Sequence, residues 1–138
     1  MLAIEIEQVN KFMLELLGGN KFDDFYVQHC EVVTFIKLEL DGKRFDEWYE
    51  QEENEKNEGQ VKWAECRPII YEWIKGKKLP VRMKFDFCRY RKNGYIGSLR
   101  IEYTRESLVV YTGYMQKEFS MDRERQREWD EYCEKLLD

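Results

Sequence analysis

Residues 81–121 read VRMKFDFCRYRKNGYIGSLRIEYTRESLVVYTGYMQKEFSM, and along them the apolar positions leave helical spacing for strict alternation. Val81, Met83, Phe85 and Phe87 share one parity, while Arg82, Lys84, Asp86 and Cys88 share the other. Successive strand residues point to opposite faces, so the pattern predicts a strand with one face on a core. Asn93-Gly94 is a strong hairpin signal, and Leu99, Ile101 and Tyr103 alternate again after it. Arg105-Glu106-Ser107 marks a second turn before Leu108 to Tyr111. Three or four strands joined in this way form an antiparallel meander.

Outward from the meander, Leu2, Ile4 and Ile6 alternate as a short strand. Val9, Phe12, Met13, Leu16 and Leu17 then fall on one stripe of a helix that stops at Gly18-Gly19. Phe25 to Leu40 reads as strand, in one run or in two pieces bent near Cys30-Glu31, and Asp41-Gly42 closes it with a turn. The stretch from Phe45 to Gly59, FDEWYEQEENEKNEG, is acidic and poor in aliphatics, which fits a mobile loop or a solvated helical excursion. Trp63, Cys66, Ile70, Trp73 and Ile74 carry a second helix, which either begins near Arg67 with Pro68 at its first position or bends there. Trp129, Tyr132, Cys133 and Leu136 carry a third, from about Asp122, its expected cap, to Leu137. The order predicts a single α+β domain over residues 1–138: a curved antiparallel sheet, β-α-β-β-α-β-meander-α, with three helices on one face. Its core is expected to contain Phe12, Leu16, Phe35, Trp63, Ile70, Trp73, Phe85, Phe87, Ile101 and Trp129.

A chain of 138 residues with 43% hydrophobic and 15% aromatic residues can bury about 68% of its unfolded surface without a metal or disulfide staple. No run approaches the length of a membrane span, and MLAIEIEQVNKF has no signal-peptide core, so the expectation is a soluble cytoplasmic protein with no membrane partner. Cys30, Cys66, Cys88 and Cys133 lie far apart beside a single histidine, His29. That spacing fits buried reduced thiols and offers no zinc motif. Charge is segregated: residues 46–74 hold 9 acidic and 3 basic residues, and residues 75–100 hold 9 basic and one acidic. Such blocks either steer an anionic partner or neutralise each other across the fold.

Val9 to Leu17, Thr34-Phe35 leading into Asp41-Gly42-Lys43, Arg67-Pro68-Ile69-Ile70, and Ile74-Lys75-Gly76-Lys77-Lys78-Leu79-Pro80 followed by Phe85 and Phe87 carry a resemblance. They resemble a family of small uncharacterised proteins from Firmicutes, a domain of unknown function. The resemblance spans most of the chain, supports the fold and implies no reaction. The connection at Lys92-Asn93-Gly94 is shorter than the resemblance implies, so a site placed in that loop would be missing here.

No catalytic constellation emerges. His29 and Cys30 are adjacent and would face opposite ways in a strand, Asp23-Asp24 follow a helix end and are expected to solvate a loop, and the glutamates at 50–55 lie in the acidic excursion. No phosphate-binding glycine motif is present, with Gly18-Gly19 and Gly94 to Gly97 expected to close turns. Neither cofactor nor metal is expected, and His29 is expected to be structural. The leading expectation is a non-enzymatic, cytoplasmic protein-interaction or regulatory module whose partner is another protein, anionic if the basic surface is used. The alternative is nucleic-acid binding through the basic 77–92 strand and hairpin: Lys77, Lys78, Arg82, Lys84, Arg89, Arg91 and Lys92 on phosphates, Tyr90 and Tyr95 on bases. Those cations are expected to form one solvent-facing strip, with the acidic segment from Asp46 to Glu58 as an internal competitor. A small-ligand cup between the sheet and the last helix is a further alternative.

Overall fold

Strand β4 (Arg82–Tyr90) lies inside a six-stranded, wholly antiparallel sheet, and its neighbours explain why the alternation is so regular. The computed structural model describes residues 1–50, 59–76, 78–91, 95–116 and 124–138. Its elements are β1 (Ala3–Glu5), α1 (Val9–Gly18), β2 (Tyr26–Val33), β3 (Lys37–Leu40), α2 (Trp63–Ile74), β4, β5 (Tyr95–Thr104), β6 (Leu108–Gln116) and α3 (Glu124–Leu137), with a 3-10 turn at Asp46–Trp48. The strand order is β1-β6-β5-β4-β2-β3, so the meander β4-β5-β6 forms the middle, the first strand closes one edge and the β2-β3 hairpin the other. This is the expected α+β fold, with an open sheet.

Register places the apolar parities on one face. Phe85 stands opposite Ile101 and Ile101 opposite Val110, and with Met83, Phe87, Leu99, Tyr103 and Leu108 they are buried. Burying a side chain of this size contributes roughly 1.5–3 kcal/mol. The helices bring rings to that layer: Trp63 of α2 lies 5.5 Å from Phe85 and 5.1 Å from Phe87, and Phe12 of α1 meets Phe22 at 5.6 Å. Phe22 and Phe25, in the connection between α1 and β2, complete a run of rings over Phe87.

The structure corrects several expectations. Phe25 to Leu40 is a hairpin that turns at 34–36 rather than bending near Cys30-Glu31, and the turn carries Phe35 out of the core to 86% exposure. Trp73 is only partly buried. Val81 precedes β4 and is exposed, whereas Cys88, on the outer face, is buried, with its thiol 3.6 Å from the Gln60 amide oxygen. Helix α2 begins at Trp63, so Pro68 is its sixth residue and cannot donate to the carbonyl four residues earlier. The start is secured otherwise: the N–H groups of Trp63 and Ala64 donate to the carbonyls of Phe25 and Asp23, at 2.8 and 3.3 Å. Residues 51–58 of the acidic excursion, the Asn93-Gly94 tip and Asp122 lie outside the described residues.

Asp23 does more than solvate a loop. Its carboxylate accepts from Nε and Nη2 of Arg67 at 2.9 and 3.1 Å, joining the α1-β2 connection to α2 where both partners are mostly shielded. Asp23→Ala is expected to lower stability by about 1–2 kcal/mol in urea melts, as loss of a paired, charge-assisted contact does. A loss below about 0.3 kcal/mol would make the pair an ordinary surface contact.

The turn at Asp41-Gly42 forms as expected, with the Lys43 N–H donating to the Asp41 carboxylate at 2.9 Å. Gly42 has a φ of 72°, and a Cβ there would overlap the Val27 carbonyl oxygen, so this position needs glycine twice over.

Candidate interaction groove

The basic strip divides between the two faces of the sheet. Arg82 and Lys84 project from the outer face, on which no described helix packs, and Arg82 stands between Val33 and Thr104. Lys84 stands across from Glu102 on one side and Glu31 on the other. Arg100 holds Asp86 at 2.7 Å, and Lys37 contacts Glu31 at 2.9 Å and Glu39 at 2.7 Å. The hydrogen bond from Lys37, helped by the charges of Lys37, Arg82 and Lys84, holds the Glu31 carboxyl below its usual range. The sheet thus supplies its own counter-charges.

Arg89 and Arg91 have the parity of Phe87 and go to the inner side, under α3. Arg89 donates to the Tyr132 hydroxyl at 2.5 Å and lies 5.8 Å from the Phe25 ring. Arg91 sits 4.9 Å from the Tyr132 ring and 5.7 Å from Trp129. Tyr90 is on the outer face, its hydroxyl bonded to Gln60 at 2.6 Å and its ring edge-on to Tyr26. Tyr95 is 4% exposed and packed on Tyr114, so it cannot stack on a base. Counting parity onward from Phe87 is the signal that would have separated Arg89 and Arg91 from Arg82 and Lys84. Lys77 and Lys92 lie outside the described residues.

The space proposed for a ligand cup is filled. Trp129 of α3 is fully buried against β5, and its indole N–H donates to the Ser98 carbonyl at 3.0 Å. Gly97 closes no turn: it lies within β5, where the indole of Trp129 rests on it.

His29 stands opposite Asp86 on β2 while Cys30 is buried in the core, so the two do not act together. All four cysteines are buried and none forms a disulfide. Burial pushes the Cys66 thiol to about 11 and the Cys133 thiol to about 12, and raises Cys30 as well. These thiols are poor nucleophiles at neutral pH. Iodoacetamide at pH 8 is expected to label fewer than one thiol per native chain in an hour and four in urea. Rapid native labelling would show a reactive cysteine. Among the described residues, no group of three His, Cys, Asp or Glu is placed to hold a metal ion.

The feature that the core does not absorb lies at the end of the β2-β3 hairpin. Phe35, Trp73, Leu79 and Val81, with Thr34, Glu72, Lys78 and Arg105, line an open groove of about 680 Å³. Each wall has a backbone reason. The Thr34 N–H donates to the Ile36 carbonyl at 2.9 Å, which tightens the turn and lifts Phe35 onto the Trp73 ring, 6.0 Å away and nearly parallel. The Val81 N–H donates to the Val33 carbonyl at 2.8 Å and sets residues 78–81 beside the hairpin. Arg105, in the β5-β6 turn, donates to the Leu79 carbonyl at 3.1 Å. Leu79 remains 65% exposed.

Two polar atoms in this lining, Thr34 Oγ1 and Trp73 Nε1, are buried and find no hydrogen-bond partner among the described residues. Each such group typically costs about 1–3 kcal/mol. At the rim, neither Lys78 nor Arg105 meets a carboxylate among the described residues, while Glu72 is held by Lys75 at 3.5 Å. Sequence reasoning placed Phe35 and Trp73 in the core, Trp73 through the apolar series of α2. The contrary signal was Val32-Val33-Thr34-Phe35-Ile36, where apolar residues occupy both parities and alternation has already failed.

A family of unknown function (DUF5721) matches this chain over residues 15–96 and 95–138. No curated protein and no solved structure matches it.

Proposed function

Since the chain belongs to this family of unknown function, the groove must carry the functional reading, and we propose that the protein is a non-enzymatic interaction module that docks a partner protein there. The observation that carries the reading is the exposure of Phe35, Leu79 and Val81 in one groove whose cations, Lys78 and Arg105, meet no carboxylate among the described residues. A contiguous exposed apolar surface marks an interaction site, and a bound segment would cover it. The outer sheet face lacks this apolar character: Arg82, Lys84, Asp86, Arg100 and Glu102 project from it, and Arg100 is paired with Asp86.

The same reading puts the protein in the cytoplasm of a bacterium, one of the Firmicutes by the resemblance of its turn and stripe residues. Four buried cysteines that form no disulfide fit a reducing compartment. No described helix is long and apolar enough to cross a membrane. Nucleic-acid contact through Lys78, Arg82 and Lys84 is the alternative, with weaker support because Tyr95 is in the core and Arg89 and Arg91 lie on aromatic rings.

The test places a benzoylphenylalanine photocrosslinker at position 35 in native cells, with the same residue at position 100 on the outer face as control. Illumination is expected to join position 35 to one protein, with the adduct lost in Leu79→Asp and absent from position 100. No adduct at 35, or the same adduct from both positions, would remove the groove from consideration.

A further inference from the structure

We infer that the groove selects a segment of a partner protein in which a large apolar side chain is flanked by carboxylates, an inference that rests on the interaction reading above. The charge of the lining points to this choice. Lys78 and Arg105 are cations without carboxylate partners among the described residues, and Arg105 keeps further N–H groups beyond the one directed at Leu79. Glu72, the one acid lining the groove, is already engaged by Lys75. The groove thus offers donors and positive charge around an apolar floor. A peptide carbonyl or carboxylate satisfies these groups, whereas a lysine or arginine head cannot.

The floor decides between a protein segment and a nucleic acid, both of which are rich in acceptors. Leu79 and Val81 are aliphatic and suit a branched or aromatic side chain, and Phe35 over Trp73 closes one side. A nucleic-acid strand asks instead for a track of cations spaced to successive phosphates, and among the described residues two cations line this groove. The fit is that of an anchor residue in a pocket with charge complementarity at its rim.

The experiment probes a random hexapeptide array with the full chain, with and without a single-stranded oligonucleotide competitor. Bound peptides are expected to share a large apolar residue next to Asp or Glu. Lys78→Glu with Arg105→Glu is expected to move the preference to Lys or Arg flanks. Peptides with basic or uncharged flanks whose binding is still lost in Leu79→Asp would overturn the carboxylate preference and leave the docking reading standing. Absence of any enriched peptide would remove both, and displacement by the oligonucleotide would replace the protein partner with a nucleic acid.

Discussion

Trp63→Ala is expected to cost about 3–5 kcal/mol, the range for truncating a large buried ring, read by circular dichroism in urea. Trp63 has no exposed surface and fills the space between α2 and the middle of the sheet, with Phe85 and Phe87 as its neighbours. Its indole N–H also donates to the Leu16 carbonyl at 2.9 Å, near the end of α1. The substitution therefore opens a cavity and strands a buried acceptor at once. Against a typical domain stability of about 5–15 kcal/mol, the variant would sit near the limit of folding. Trp63→Phe separates the two effects: it retains most of the packing and is expected to cost about 1–2 kcal/mol for the lost bond. Trp73→Ala should cost less than half as much as Trp63→Ala, because Trp73 is only partly buried and makes no indole bond among the described residues. Equal losses at the two positions would contradict the assignment of core and groove.

Helical spacing alone does not distinguish those two tryptophans. Trp63 and Trp73 belong to the same apolar series on α2, and what separates them is where the hairpin turns. The meander was legible because β4 and β5 hold one alternation over Arg82–Phe87 and Leu99–Thr104, and a slip by one residue would expose the whole core face. The helices were legible from their stripes, apart from the start of α2, where backbone carbonyls at Asp23 and Phe25 override the signal from Pro68. The candidate site was not legible. It draws Thr34 and Phe35 from a turn, Trp73 from the end of a helix, Leu79 and Val81 from a connection and Arg105 from a second turn. Their proximity depends on long-range backbone bonds such as Val81 to Val33, which leave no periodicity in the sequence. The basic strip shows the opposite failure. Seven cations close in sequence looked like one surface, yet strand parity sends Arg82 and Lys84 outward and Arg89 and Arg91 beneath α3.

The seat of α3 gives a prediction in which two harmful substitutions should partly cancel. Gly97 lies within β5 facing α3, and a Cβ there would overlap the Cδ2, Cε2 and Cε3 atoms of the Trp129 indole. The ring has little freedom to yield. Its N–H is held by the Ser98 carbonyl, and Tyr132 stacks on it at 5.3 Å. The next residue, Asp130, accepts from the Thr112 hydroxyl of β6 at 2.6 Å. Gly97→Ala is therefore expected to cost about 3 kcal/mol, at the upper end for overpacking, and Trp129→Ala about 3–5 kcal/mol for the cavity. In the double variant the new methyl enters the space that the indole vacated, so the combined loss should fall short of the sum by at least about 1 kcal/mol. Denaturant melts of the four proteins measure that difference directly. Strict additivity would mean that α3 is not seated on Gly97. A shortfall confined to this pair, and absent when Gly97→Ala is combined with Trp63→Ala, would fix the contact between helix and sheet to that one ring and that one missing side chain.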